Sequence, residues 1–210
     1  MTSTFRRRWF QFSLASLFLL VVIVAVPCGW LKAKMDRKAK ERTAVAEIRK
    51  VGGGVLYDWQ FPEQKEPPGA TWIRKLFGDE FLAKVALVSY VGPEVTDDSL
   101  ANLEVLADLE ILSLADTKIT NASLVHLKTL TKLRVLVLYG TGVNGTGLVH
   151  LNKLTRLEEL DLEKSKVTND GLSNLTGLAG LKLLNLHNTD VTDAGVAELQ
   201  KALPNCEIIR

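Results

Sequence analysis

Few side chains in this sequence have the chemistry of catalysts, and their spacing does not suit catalysis. Glu159 and Asp161 are two residues apart, which places both carboxylates on one face of a β-strand. Such a pair works as general acid and base only where burial raises one pKa and water is excluded, and the neighbouring sequence provides neither. There is no GxSxG elbow, and the glycines at 52–54 lack the spacing of a phosphate-binding loop. The sequence therefore predicts a protein that is not an enzyme and holds no cofactor.

Two histidines are the only candidates for a metal site. His126 and His150 stand 24 residues apart, and Asn102, Asn174 and Glu198 continue the same column in a structure of that period. Zinc sites usually add a cysteine or a third histidine at a characteristic spacing, and neither stands near. We therefore expect solvated helix residues and no metal. Because Cys28 and Cys206 lie in different parts of the chain, we also expect no disulfide within one domain.

The spacing of the apolar residues predicts the architecture. The line "ILSLADTKITNASLVHL" at 111–127 returns in similar form at Val135, Glu159 and Leu183, with starts 24 residues apart. Five units of 24 residues cover 85–204, with apolar residues at positions 1, 4, 6, 11, 16, 19 and 22 of each unit. Positions 4 and 6 have the period of a strand, whereas positions 16, 19 and 22 have that of a helix. Each unit therefore predicts a strand, a turn and a helix.

A single unit of this kind cannot fold alone. Ordering the backbone of 24 residues costs about 1–2 kcal/mol of conformational entropy per residue. Burying seven apolar side chains by half contributes at most about 2 kcal/mol each, which is too little to offset that cost. Stacked units bury one another's faces, so we predict an α/β solenoid, a right-handed β-α superhelix with a parallel sheet. Residues 52–84 form its N-terminal cap, in which Trp72, Leu76 and Phe77 are expected to plug the core. Residues 205–210 form a C-terminal cap strand.

The segments "LRVLVLYGTGV" and "LEELDLEKSKV" resemble the LxxLxLxxNxL pattern of leucine-rich repeat proteins. That resemblance implies a solenoid that recognises other proteins. At position 9 the family usually has Asn, which ties adjacent turns together. Hydroxyl residues stand there in this chain, and we expect from them a ladder of the same role but shorter reach: Thr117, Thr141, Ser165 and Thr189.

An uncharged run at residues 9–31 predicts a transmembrane helix. Its 23 residues would rise about 34 Å as a helix, enough for a hydrocarbon core of about 30 Å. Trp9 and Trp30 mark its ends, as is typical of residues at the membrane interface. A basic tail at 1–8 precedes it, and its opening resembles the anchors of bacterial membrane-attached leucine-rich repeat proteins. A cleaved signal peptide is the alternative interpretation.

The charge distribution separates the chain into a basic and an acidic part. Residues 32–50 carry eight Lys or Arg against three acidic residues, and we predict a basic juxtamembrane helix over 32–51. From Val51 onward the chain has 15 basic and 21 acidic residues, which argues against nucleic acid as a ligand. The basic residues after the uncharged run favour a solenoid in the cytoplasm. The arginine cluster before the run resembles that of a signal anchor, which keeps the N-terminal tail in the cytoplasm and places the solenoid outside. We expect the solenoid on the extracytoplasmic side of a single-pass membrane protein.

The candidate binding site is the outward face of the predicted strands. Positions 3, 5 and 7 alternate with the buried leucines and therefore line the concave surface. This surface is apolar in the first three units, and its fourth unit is acidic. The predicted protein-binding residues are Leu87, Ile111, Val135, Val137, Tyr139, Glu159, Asp161, Glu163, Asn185 and His187.

An apolar patch beside carboxylates predicts a protein or peptide partner, with Tyr139 as the anchor, rather than a small-molecule substrate. The alternatives are that the N-terminal segment or chain pairing covers the patch, as in an envelope scaffold without a discrete ligand. A third alternative is a substrate-recognition subunit of a larger enzyme complex.

Overall fold

The computed structural model describes residues 14–60 and 66–210 of the chain. Seven strands form a single sheet in sequence order, β1 to β7. Four α-helices are described, α1 to α4, together with short 3-10 helices. The strands are Gly54–Tyr57, Val85–Ser89, Ile111–Ser113, Val135–Val137, Glu159–Asp161, Leu183–Asn185 and Glu207–Ile209. The α-helices are Leu14–Lys50, Thr71–Phe77, Asn169–Leu172 and Asp193–Ala202, and the 3-10 helices are Asp79–Phe81, Asp97–Val105, Asn121–Thr129, Gly147–Leu151 and Ser173–Leu175.

Strands β2 to β7 are parallel and pair without a shift in register. Ile111 pairs with Val135, which pairs with Glu159, so each residue lies beside the residue 24 positions later. Strand β1 is antiparallel to β2 and covers the first edge of the sheet, with Leu56 opposite Leu87. The chain therefore winds as a solenoid, and the predicted parallel sheet is confirmed.

The core is a stack of leucine columns inside these coils. The central residues of successive strands, Leu112, Leu136, Leu160 and Leu184, are each at most 1% exposed. Burying a leucine side chain away from water stabilises the fold by about 1.5–3 kcal/mol through the hydrophobic effect. Because each leucine lies against its counterpart in the next coil, one continuous core runs along the solenoid.

The helical segments of most coils are 3-10 rather than the α-helical form that the simple strand–turn–helix prediction suggests. Their buried leucines are spaced by three, as in Leu124, Leu127 and Leu130, and a 3-10 helix has three residues per turn. In the last coil Leu199 of α4 and Leu203, the residue after α4, are buried and four apart, and this segment is a regular α-helix. The spacing of the apolar residues thus matches the helix type in every coil but the fourth, where the α-helical turn α3 precedes the 3-10 segment although the leucines are three apart.

The turn after each strand uses the same backbone conformation. Position 8 of every coil has a positive φ, a region that favours Gly, Asn and Asp over other residues. The values are 103° at Gly92, 53° at Asp116, 64° at Gly140, 55° at Lys164 and 55° at Asn188. Lys164 is the unusual residue of this set, since a long side chain at such a φ is strained.

The N-terminal end of the core is closed by α1 and β1. The chain divides into two compact units, residues 1–39 and 40–210, and α1 runs across the division. Ala44, Val45 and Ile48 are 1–3% exposed and belong to the hydrophobic core of the second unit. The last turns of the helix predicted over 32–51 are therefore part of the cap. The sequence predicts a separate juxtamembrane element here because polar residues dominate the segment.

Part of the predicted plug does not enter the core. Trp72 and Leu76 are 65% and 68% exposed, so their prediction as core residues is wrong. Phe77 instead stacks on the buried Phe81, with ring centroids 4.6 Å apart. Trp72 and Leu76 form one edge of the apolar side of α2, and Ile73 and Phe77 form the adjacent, less exposed edge.

The hydroxyls at position 9 do not form the expected ladder between coils. The Thr141 hydroxyl donates to the Leu138 carbonyl of its own coil (2.7 Å), and Thr117 and Thr189 make the same local bond. The Ser165 hydroxyl is buried and has no hydrogen-bond partner among the residues that the structure describes. A hydroxyl is too short to reach the next coil, so it closes the turn in which it lies.

Position 13 provides the polar connection between coils instead. Asn121 Oδ1 accepts the backbone N–H of Asn144 (2.9 Å), which lies in the following coil. Asp97 and Asn169 accept equivalent bonds from Thr120 and Thr192 (2.7 and 2.9 Å). Gly145 occupies position 13 of the third coil and has no side chain that could accept such a bond.

No helix in the described part of the chain is both long enough and apolar enough to span a membrane. The tail at 1–8 and the first residues of the span predicted over 9–31 lie outside the described residues.

Candidate functional site

The structure brings the predicted concave residues together in three columns. The first is Leu87, Ile111, Val135, Glu159 and Leu183, the second runs through Val137, Asp161 and Asn185, and the third contains Tyr139, Glu163 and His187. All of these side chains are half-buried or exposed, whereas the residues between them in the strands are buried. The alternation of a strand therefore places all ten predicted residues on one surface.

The apolar part of this surface is longer than the repeats alone indicate. Leu56 of β1 lies opposite Leu87 and is 36% exposed. With Ile111 and Val135 it forms an apolar row across four adjacent strands. Sequence reasoning missed Leu56 because it precedes the first repeat. The alternation in "VLYDW" was its only signal.

The fourth coil supplies the acidic part. The Glu159 side chain is exposed, and Asp161 Oδ1 accepts the backbone N–H of Glu163 (2.9 Å). Asn185 Nδ2 donates to Glu163 Oε2 (3.2 Å), which orients that carboxylate. Within the described part of the chain, none of these three carboxylates forms an ion pair with a Lys or Arg side chain within 4.0 Å.

Tyr139 lies beside this acidic coil and contacts Lys164, one of its two basic residues. Lys164 Nζ donates to the Tyr139 hydroxyl at 2.5 Å and lies 4.8 Å from the ring centroid. This hydrogen bond raises the pKa of Lys164, with a further contribution from the nearby Glu163 and Asp116 carboxylates. Lys164 therefore remains charged and holds the predicted anchor in one orientation. Sequence reasoning did not assign Lys164 to the site.

The column just before the concave face is charged in an alternating order. Arg134 donates to Glu158 through Nε and Nη2 (3.1 and 3.2 Å), and Lys182 Nζ donates to the same carboxylate (2.9 Å). These bonds lower the pKa of Glu158 to about 2. Arg134 also lies 3.9 Å from Glu110 in the preceding coil. Charges in this column are thus compensated, unlike those of the concave fourth coil.

The two histidines at position 18 lie away from the concave strands. His126 Nδ1 is 2.7 Å from Glu104 Oε1, a contact with the preceding coil. Among residues 14–60 and 66–210, no group of three His, Cys, Asp or Glu side chains is placed to hold a metal. Cys206 is buried, and burial raises the pKa of its thiol.

The segment "GTGVNG" at 140–145 has the GxGxxG spacing of a phosphate-binding loop, which sequence analysis passed over. The structure explains each glycine by packing. Gly140 has a positive φ, a side chain at Gly142 would lie 3.0 Å from the Ile119 carbonyl, and one at Gly145 would overlap the backbone of Gly171. These contacts belong to the solenoid, and the segment requires no phosphate.

Comparison with known proteins gives matches at the level of structure. No family model matches the sequence, and no curated protein matches it. The leucine-rich repeat ectodomain of the receptor kinase SOBIR1 from Arabidopsis thaliana is similar with a TM-score of 0.50 and 18% identity, over 81% of this chain and 91% of that one.

Other similar structures are bacterial. An internalin, InlF, from Listeria monocytogenes is 26% identical over 52% of this chain, with a TM-score of 0.44. A leucine-rich repeat protein from Leptospira interrogans is 21% identical over 58% of this chain, also with a TM-score of 0.44. The matches span only 30% and 28% of the length of these two proteins. The repeat geometry and the likeness to the SOBIR1 ectodomain together show that this chain has the leucine-rich repeat fold.

Proposed function

We propose that this protein binds another protein or a peptide through the concave face of its solenoid, without catalysing a reaction. The observation that carries this proposal is the apolar row of Leu56, Leu87, Ile111 and Val135. These side chains lie in register on four neighbouring strands and stay partly exposed. A contiguous apolar patch beside polar groups is typical of interaction surfaces.

The arrangement of Tyr139 supports the same function. Tyrosine is enriched among residues that contribute most to binding, because its ring buries a large area at a small cost in side-chain entropy. Because Lys164 bonds the Tyr139 hydroxyl in the free protein, part of the side-chain entropy of Tyr139 is lost before a partner binds.

The proposal includes a membrane anchor at residues 9–31 and a solenoid on the extracytoplasmic side. Its support is the uncharged run in the sequence and the cations on both sides of it. Trp30 is 60% exposed, and Lys34 Nζ lies 5.2 Å from its ring centroid, a pair suited to the headgroup region. Labelling of a cysteine introduced at exposed Asp190 with a membrane-impermeant maleimide in intact cells tests the orientation. Cys28→Ser removes the exposed native thiol, and labelling only after cell lysis contradicts an extracytoplasmic solenoid.

Cross-linked pull-down of the tagged full chain from membranes tests the binding function. Tyr139→Ala and Asp161→Lys are each expected to reduce capture of specific partners at least tenfold, since truncating a central interface residue costs about 2 kcal/mol or more. Glu198→Lys, on the exposed surface of α4, is the matched control. Unchanged partner profiles in both concave variants would contradict the concave face as the binding surface.

A further inference from the structure

We infer that the partner of the concave face carries a Lys or Arg side chain two or three residues from an apolar side chain, in an extended segment that crosses the strands. This inference rests on the proposed function and specifies the chemistry of the partner. The carboxylates of Glu159 and Asp161 bind the cation, and Ile111 and Val135 contact the apolar residue.

The first argument is the contrast between two neighbouring columns of charge. In the column that contains Glu158, every described acid has a basic side chain within 4.0 Å in an adjacent coil. Asp108 is likewise paired with Lys132, and Glu104 with His126. The charged column beside the concave strands is therefore compensated. In the described concave face the carboxylates of Glu159, Asp161 and Glu163 lack one.

The uncompensated carboxylates carry an electrostatic cost in the free protein. Like charges that lie close together on a sheet repel one another, and the two nearby cations bond other groups, Lys164 the Tyr139 hydroxyl and Arg134 the Glu158 carboxylate. A cation from a partner removes this repulsion and gains a charge-assisted hydrogen bond. The free energy of binding is therefore larger for a basic segment than for a neutral one.

The second argument is the distance from the acidic coil to the apolar row. Glu159 lies directly beside Val135 in the sheet, and Ile111 lies one strand farther. With about 4.8 Å between strands, Ile111 and Glu159 are about 10 Å apart. An extended segment rises about 3.3 Å per residue. Side chains two residues apart share one face of a β-strand, and side chains three residues apart share one side of a polyproline II segment. Either spacing therefore reaches the apolar row and the carboxylates together.

A peptide display selection on the full chain tests the inference. The protein is held in nanodiscs of zwitterionic lipid, and a random library is first depleted on empty nanodiscs. The same selection uses Glu159→Lys/Asp161→Lys, and the control is Asp190→Lys/Glu198→Lys, two acids exposed away from the concave strands. Circular dichroism melting establishes that each variant is folded.

We expect the wild type and the control to enrich peptides with Lys or Arg two or three residues from Leu, Ile, Val or Phe. The Glu159→Lys/Asp161→Lys variant is expected to enrich Asp or Glu at the former basic position. For one enriched synthetic peptide, Glu159→Gln/Asp161→Asn should weaken binding at least tenfold in fluorescence anisotropy. Raising the salt from about 0.05 to about 0.5 M should weaken wild-type binding and have less effect on that variant.

Two results would overturn the inference in distinguishable ways. Enriched peptides without a basic residue, whose binding still depends on Tyr139, overturn the partner chemistry and leave the concave binding function standing. If no peptide is enriched above empty nanodiscs, both the partner chemistry and peptide binding by this face are overturned. A basic preference that persists unchanged in Glu159→Lys/Asp161→Lys places the cation elsewhere and also overturns the assignment.

Discussion

Single residues of this protein show which contacts the repeats need and which they tolerate. The position-9 hydroxyls are chemically alike, yet three bond a carbonyl in their own coil, whereas that of Ser165 has no partner in the described part of the chain. A buried hydroxyl without a hydrogen bond costs free energy, whereas a bonded one contributes about 1 kcal/mol. Equivalent positions of the repeat therefore differ in what they contribute to the stability of the fold.

Removing the position-9 hydroxyl should have opposite consequences in adjacent coils. Thr141→Val deletes a buried hydrogen bond at nearly constant shape and should lower the free energy of unfolding by about 1 kcal/mol. Ser165→Ala deletes an unpaired hydroxyl and should leave stability unchanged or slightly higher. Urea unfolding followed by circular dichroism measures both, and equal losses would show that Ser165 is bonded in solution.

Lys164 combines an unfavourable backbone conformation with a contact in the proposed site. Its φ of 55° costs about 1 kcal/mol relative to glycine, so Lys164→Gly should raise the free energy of unfolding by up to that amount. The same change removes the hydrogen bond to Tyr139 and should weaken partner capture. Thermal unfolding and pull-down are the measurements. Asn188→Gly, at the equivalent turn position of the next coil, is the control and should change stability less, because Asn tolerates this conformation better.

At the scale of elements, neighbouring coils are joined by contacts that differ from one pair to the next. Asn121 and Asn169 bond the backbone of the coil that follows them, but Gly145 has no side chain to do so. The backbones approach too closely there, since a Cβ at Gly145 would lie 2.2 Å from the Gly171 Cα. Close packing replaces the side-chain bond from position 13, and Asn174 Nδ2 of the following coil donates to the Gly145 carbonyl (3.0 Å).

Gly145→Ala should therefore be strongly destabilising. Two backbone segments must separate to accommodate the methyl group, which overpacks the structure at a cost of about 1–3 kcal/mol. Gly177→Ala is the matched control, because its Cβ would meet no atom within 4 Å and its φ is ordinary. A midpoint of denaturant unfolding that is equal in both variants would contradict the close contact.

The charged column across three coils predicts a pH-dependent contribution to stability. The folded pKa of Glu158, about 2, is below its usual value of 4.5 because Arg134 and Lys182 bond the carboxylate. Stability from this group is therefore fully present above pH 4.5 and is lost as the pH falls towards 2. The destabilisation caused by Glu158→Gln should be largest at pH 7 and should shrink through this window. Urea unfolding at several pH values measures it, with Glu198→Gln as an exposed control, and high salt should reduce the difference.

At the scale of the whole molecule, the solenoid depends on a closed N-terminal end. The first coil would expose its leucines without a neighbour, and the last turns of α1 cover them with Ala44, Val45 and Ile48. Repeat proteins need such caps because each coil is stable only against its neighbours. The end of α1 therefore contributes to the stability of the solenoid.

Ile48→Ala should destabilise the entire solenoid and not only the helix. Ile48 is 1% exposed, and truncating such a residue lowers the free energy of unfolding by about 2–5 kcal/mol. Because Ile48 shares one hydrophobic core with the repeats, the repeats should be destabilised as well. Arg49→Ala, on the exposed side of the same helix, should change the unfolding midpoint little. Hydrogen exchange of the β2 and β3 amides in the two variants measures how far the effect extends. Unchanged protection in Ile48→Ala would show that the cap and repeats unfold independently.

The leucine-rich repeat fold and the outward-facing residues of the strands could be predicted because they depend on local spacing. A leucine every two residues or every three residues specifies which side of a strand or helix is buried, whatever the neighbouring coil contains. The same spacing in Leu124, Leu127 and Leu130 also carried the signal for 3-10 helices, although an α-helix was the simpler interpretation.

The sequence by itself determined the coil period, the buried leucines and the outward positions of the strands. Only the tertiary structure decided that Leu56 extends the apolar row, that Ile48 enters the core and that Lys164 contacts Tyr139. It also decided that coils are joined through Asn121 and Asn169 rather than through the position-9 hydroxyls. The physical reason is that periodicity encodes burial within a coil, whereas contacts between coils depend on side-chain reach and on how closely two backbones approach.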